Sequence, residues 1–171
     1  MNQVRIRAMP SRVEIDGSQR RGHSRLNHVL AIVGAELLKG FGFEAERFPI
    51  PAELVKAAGL ESLTNLIVRR RYGDGRTVAL NAHGDVVPAG EGWTYPPYGC
   101  EVHDGKLYGR AAAVSKCDFS TYIFATRALE SLGVPLRGGI ELHFTYDEEF
   151  GGELGPGWLL EKGHTKPDLL I

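Results

Sequence analysis

This chain has few cysteines, no long apolar run and no surplus of either charge. Cys100 and Cys117 are the only two cysteines in 171 residues, and no Cys-x-x-Cys spacing occurs. A disulfide framework is thereby excluded, and a reducing compartment is the expectation. No apolar stretch reaches the roughly 20 residues that cross a bilayer, and Met1–Arg7 carry no apolar core of secretory length. A cytoplasmic protein with no membrane partner is expected. With 20 basic and 21 acidic residues there is no field to steer nucleic acid. Arg20-Arg21 and Arg69-Arg70-Arg71 are short and read as solvated edges.

What is present is ordinary for a globular protein: 43% apolar and 24% charged residues, enough for one domain with a real core. Residues 1–23 are polar and irregular, with a turn expected at Asp16-Gly17-Ser18. Leu26, Val29, Leu30, Val33 and Leu37 follow helical spacing and Gly40 marks a stop. A strand is expected over Phe43–Ile50, then a short helix after Pro51. Asn65–Tyr72 and Arg76–His83 flank Gly73-Asp74-Gly75, a pattern that predicts a hairpin. A Pro/Gly-rich loop, a small hairpin at Asp104-Gly105 and a helix over 116–132 follow. The strand 139–146 leads through Gly151-Gly152 to a helix near 156–162. Leu169-Leu170-Ile171 opens one more strand, so a continuation beyond it is expected.

Two apolar strands each release ligand-type side chains at their carboxyl ends. The first runs from Thr77 into His83-Gly84-Asp85, the second from Gly139 into Asp147-Glu148-Glu149. Side chains two apart share a strand face. His83 can therefore offer one ring nitrogen to a metal while Asp85 receives the proton on the other, which fixes the tautomer. Glu148 and Glu149 can diverge at the Gly-Gly turn, one binding a cation and the other accepting a proton. Metal-assisted hydrolysis needs that division. Each motif alone is weak: a loop histidine and a solvated turn are the bland alternatives.

Leu80-Asn81-Ala82-His83-Gly84-Asp85-Val86-Val87-Pro88, Gly92-Trp93, Asp104-Gly105-Lys106-Leu107-Tyr108-Gly109-Arg110 and Tyr146-Asp147-Glu148-Glu149-Phe150-Gly151-Gly152 together resemble the aminoacylase family. That family of dizinc hydrolases includes acetylornithine deacetylase and succinyl-diaminopimelate desuccinylase. The resemblance runs in order over roughly residues 24–171. It implies an α/β fold, a mixed central sheet flanked by helices, as in zinc-peptidase catalytic domains. It implies hydrolysis of an amide bond in an N-acyl amino acid or short peptide, with Zn2+ (two ions, Co2+ as an alternative). By the same resemblance His83 is a zinc ligand, Asp85 its orienting partner, Glu148 the general base and Glu149 a ligand to the other zinc. Residues 1–171 would be part of a catalytic domain, without the inserted dimerisation domain and the C-terminal part. The complete protein could then form a homodimer.

The sequence departs from the family at one telling place. Gly109-Arg110-Ala111-Ala112-Ala113-Val114-Ser115-Lys116 puts Val114 where the family carries an acid bridging both ions. Valine cannot coordinate a cation. Asp118, four residues on, is the candidate replacement ligand. The alternative is a place in the first turn of the 116–132 helix, where a carboxylate suits the macrodipole. A non-catalytic relative that keeps the scaffold for binding is the rival to an enzyme. Gly151–Gly157 has no Gly-Lys-Ser/Thr and contains Pro156, so a helix-entry turn is expected there, not a phosphate loop. Cys117 is expected to be a structural thiol. Trp93, Tyr95 and Tyr98 either line a cleft or pack their own loop.

Overall fold

A computed structural model describes residues 34–171. The expected turn at Asp16-Gly17-Ser18 and the first part of the expected helix, Leu26 to Val33, lie outside the described residues. Residues 34–40 are helical, labelled α1; this segment buries Ala35 and Leu38 and stops at Gly40 as its sequence predicts. The elements that follow are β1 (Ala45–Pro49), α2 (Ala52–Ala57), β2 (Thr64–Arg71), β3 (Thr77–His83), β4 (Glu101–His103) and β5 (Lys106–Tyr108). Then come α3 (Lys116–Ser131), β6 (Gly139–Thr145), α4 (Trp158–Glu161) and β7 (Leu169–Leu170). Among the described residues no helix is long and apolar enough to cross a membrane.

Five strands form one mixed sheet in the order β1-β2-β6-β3-β7. β1 and β6 flank β2 antiparallel, whereas β6, β3 and β7 run parallel. The mixed α/β architecture expected from the sequence is thus present. One topological expectation is overturned. β2 and β3 do not form a hairpin, because β6 lies between them and pairs with both.

The glycines of the 73–75 turn have a different use. A Cβ on Gly73 or Gly75 would lie 2.9 or 2.5 Å from the Arg137 carbonyl oxygen, and one on Gly138 only 2.2 Å from that of Arg76. The incoming end of β6 runs through the β2–β3 connection at backbone contact. There Tyr72 donates its amide to Gly138 O (2.9 Å) and Gly139 donates to Arg76 O (3.0 Å). A glycine-bracketed turn between apolar runs reads locally as a hairpin, but nothing local reveals a strand inserted from 60 residues away.

Register sorts the strand side chains into two faces. Leu66 and Val68 lie opposite Phe144 and Leu142, which in turn lie beside Ala82 and Leu80. α3 covers this face: the Phe119 and Phe144 rings are 4.3 Å apart, and Ile123 is buried in the same core. The opposite face carries Asn65, Ile67, Arg69, Glu141, His143 and Thr145, beneath the segment that contains α4. Several of its polar groups are engaged. Asn65 donates to Leu154 O, Arg69 donates to Glu141 (3.1 Å), and Thr165 donates to the same carboxylate. His143 completes the cluster with Nε2 2.8 Å from Glu141. Asp168 pins the start of β3 by accepting the Thr77 amide at 2.7 Å.

The loop between β3 and β4 packs on itself. Tyr95 stacks on His103 at 3.9 Å, and Trp93 donates to Ala89 O and lies beneath Arg110. Arg110 also donates to the Pro88 and Ala89 carbonyls, clamping the chain just after Asp85. Cys117 donates its thiol to Ala113 O.

Two predictions follow from this packing. Gly138→Ala forces two backbones apart and should destabilise the fold by roughly 1–3 kcal/mol, read as a lower urea midpoint at an unchanged slope. The second concerns acid. Burial holds His143 below its ordinary pKa of about 6.5, with the Glu141 contact opposing that shift. Burial alone would raise Glu141, but hydrogen bonds from Thr165, His143 and Arg69 prevail and hold it below the ordinary carboxylate range. In both cases the unfolded chain binds the proton first, so stability falls with falling pH. The His143 part of the decline should begin below about pH 6.5, where unfolded histidine protonates, and the Glu141 part below about pH 4.3. Each is set against a gain from Asp147, whose raised carboxyl takes up its proton first in the folded chain. His143→Gln should remove the first stage from a plot of urea midpoint against pH.

Candidate metal centre

β3 and β6 are neighbouring parallel strands, so their carboxyl ends, His83 and Thr145, lie side by side. Ligands in open α/β sheets gather outside such ends. Beyond β6 the chain enters a single 3-10 turn, Glu148–Phe150, and then a wide turn, Glu153–Gly157, that leads into α4. Gly151 and Gly152 both adopt positive φ (113° and 75°), which lets the chain reverse directly after the two glutamates.

Asp85 organises this place. Its side chain is 1% exposed, and its two oxygens accept the backbone amides of Glu148 (3.3 Å) and Glu149 (3.1 Å). His83 is also buried. Its Nδ1 lies 3.1 Å from the Asp85 backbone carbonyl and 3.4 Å from the carboxylate, so this nitrogen carries the proton. Nε2 faces the opposite way, 3.6 Å from a Glu148 carboxylate oxygen. One atom each from His83, Glu148 and Glu149 lies within 4.8 Å of the others. Both glutamates are exposed, while the histidine is held from below. Gly84 between the two anchors admits no side chain: a Cβ there would sit 2.3 Å from the Tyr146 ring.

Asp147 shapes the other side of the turn. Its carboxylate accepts the Leu154 amide (2.6 Å) and its backbone carbonyl accepts Phe150 and Gly152. Burial pushes its carboxyl up to about 6, and the Asp85 charge adds to that rise against the Leu154 and Gly155 hydrogen bonds. Burial raises Asp85 too, opposed by the Glu149 amide, the His83 charge and the Glu148 amide. Lys116, at the start of α3, is pulled down by its burial while the charges of Asp85, Cys100 and Glu149 support its cationic form. The acidic groups crowd without full compensation, a field that favours a cation.

The structure therefore brings together His83, Asp85, Glu148 and Glu149. It does not bring Asp118 to them. Asp118 lies in the first turn of α3, accepts from the Ser115 hydroxyl (3.0 Å) and is no member of the donor cluster found among the described residues. In this arrangement its carboxylate is taken by Ser115 at the helix start, as its alternative place in the first turn of α3 expects. Val114 is 69% exposed and offers no donor. Sequence reasoning placed Asp147 in the acidic cluster without giving it a role of its own, and it gave none to Ser115. The Ser-x-x-Asp spacing of Ser115 and Asp118 was the available signal for the latter.

A histidine with two carboxylates is a donor set that suits Zn2+ or Co2+. Asp85→Asn should weaken the apo fold: an amide NH2 would face a backbone N–H, losing one hydrogen bond and opposing two donors. We expect a loss of roughly 1–3 kcal/mol in urea denaturation with chelator present. An unchanged midpoint would remove Asp85 from its organising role.

Residues 79–171 match the description "Peptidase family M20/M25/M40". The chain is 39% identical over 116 residues to succinyl-diaminopimelate desuccinylase of Rhodospirillum centenum, covering 66% of this chain and 28% of that relative. It is 32% identical over 142 residues to the same-named protein of Gluconobacter oxydans, covering 80% of this chain and 35% of the relative. The chain thus spans about a third of the length of such curated relatives. Human carnosine dipeptidase 1 superposes with a TM-score of 0.60 at 27% identity, over 81% of this chain and 30% of that one. A metallo-carboxypeptidase of the same family from Sulfolobus solfataricus gives a TM-score of 0.69 at 17% identity, over 90% and 34% of the two chains, a likeness of fold.

Proposed function

Because this chain belongs to peptidase family M20/M25/M40, we propose that it contributes the first metal-binding half of a site that hydrolyses amide bonds in N-acyl amino acids or short peptides. One observation carries this: two separate strand ends deliver an imidazole and a pair of carboxylates to within 4.8 Å, all hung on the buried Asp85. We assign His83 to hold one divalent ion and Glu149 the other, Zn2+ by donor type, and Glu148 to act as general base. Asp85 keeps the His83 tautomer and the Glu148-Glu149 turn in place.

When bound, the ion supplies Lewis acidity toward the amide carbonyl and acidifies water. Glu148 suits proton transfer because its carboxylate is more than half exposed at the mouth of the site. It takes a proton from the attacking water and returns it to the leaving nitrogen. His83 Nδ1 is engaged below, which leaves Nε2 as the nitrogen that faces the ion's place. A reducing cytoplasmic setting and a homodimeric complete protein belong to the same proposal.

A second reading has one observation in its favour. Val114 stands where the family resemblance expects a bridging acid, so the scaffold would serve binding without turnover. A single variant separates the roles. Glu148→Gln in the full-length protein should lower kcat on N-acyl amino acids or dipeptides by roughly 10²–10⁴-fold with Co2+ affinity unchanged. An equal loss of Co2+ affinity would make Glu148 a ligand instead. A wild-type protein that binds Co2+ and hydrolyses no member of such a panel would favour the binding-only scaffold.

A further inference from the structure

We propose that Ser115 and Asp118 form a positioning relay that fixes the backbone of His83 and thereby sets its Nε2 toward the ion. This rests on the assignment of His83 as a metal ligand and extends it to residues outside the donor cluster. Ser115 is the residue before α3, at the N-cap. A serine there ordinarily turns its hydroxyl onto the amides of the first helical turn. Here no side-chain capping bond is made. The buried hydroxyl accepts the His83 backbone amide (3.3 Å) and donates to Asp118 Oδ2 (3.0 Å).

Asp118 holds the third helical position, from which an acidic side chain in a capping box reaches back to the N-cap amide. It receives the serine proton instead. By taking the single O–H, Asp118 orients the hydroxyl so that one of its two lone pairs faces the His83 amide. A chain of two hydrogen bonds therefore connects the helix start to the last residue of β3: His83 N–H to Ser115 Oγ, and Ser115 O–H to Asp118. The Asp118 backbone amide also donates to Ser115 O (2.9 Å), so the two ends of the relay are held in one turn.

His83 is then fixed on three sides. Ser115 takes its amide, Asp85 takes Nδ1, and the following amide, that of Gly84, donates to Thr145 O (2.8 Å) and so continues the sheet ladder. Two of these restraints come from the sheet and its end. The third comes from α3, and the relay is how the helix registers against the site.

The test uses Co2+ titrations of the full-length protein followed by visible absorption, with melting of the apo form as control. Ser115→Ala should weaken Co2+ roughly tenfold and alter the ligand-field bands, and Ser115→Thr, which keeps the hydroxyl, should restore both. Asp118→Asn should weaken Co2+ a few-fold, and this effect should vanish in the Ser115→Ala background. Persistence of the Asp118→Asn loss in that background would mean that Asp118 acts on the ion directly, which overturns the relay. Wild-type affinity in Ser115→Ala, with binding lost in His83→Ala, overturns the relay and leaves the metal site standing. Binding retained in His83→Ala overturns both. Should Ser115→Ala fail to fold, unchanged affinity in Asp118→Asn, altered only at a partly exposed helix position, is the overturning result.

Discussion

A single buried carboxylate ties the two halves of the candidate site together. Asp85 follows β3, yet its oxygens are taken by amides that follow β6. Each strand end alone would fray into solvent, because nothing in the sheet fixes a chain beyond its last paired residue. Placing an unsolvated charge across the gap is unfavourable unless donors meet it. The two amides do so, and the glutamates they belong to are thereby held at a set height above His83. Residues 83–85 and 147–149 act as one unit for this reason.

The sheet order makes that tie possible. With β6 inserted between β2 and β3, the strands that end in His83 and Thr145 become parallel neighbours. A β2–β3 hairpin would have put β6 elsewhere and separated imidazole from carboxylates. The backbone contact of Gly73, Gly75 and Gly138 is the local condition for the insertion, since any Cβ at that crossing meets a carbonyl oxygen. Fold and chemistry therefore depend on the same few glycines, though these lie at the opposite end of the strands from the metal donors.

Departure from the family pattern at Val114 falls on the loop before α3 and not on the strand ends. Among the described residues the donors form one cluster, and Ser115, beside Val114, makes the contact with His83. The helix start thus remains coupled to the site through a neutral hydroxyl. Its acid, Asp118, works one bond further out. Such coupling restrains geometry without adding charge to an already acidic place.

Much was legible in the residues themselves. Alternating and continuous apolar runs marked β2, β3 and β6, glycine marked the end of α1, and the order of short motifs pointed to the family and to His83, Asp85, Glu148 and Glu149. Those features are local: periodicity, turn chemistry and side-chain type act within a few residues. Pairing partners are not local, so the sequence read a hairpin where the fold places a third strand. It likewise left Asp118 open between ligand and helix turn, because only folded distances show which acceptor a carboxylate reaches. The sequence determined which groups stand at the strand ends; tertiary structure decided which of them meet, since contact between residues 60 positions apart is set by the register of the whole sheet.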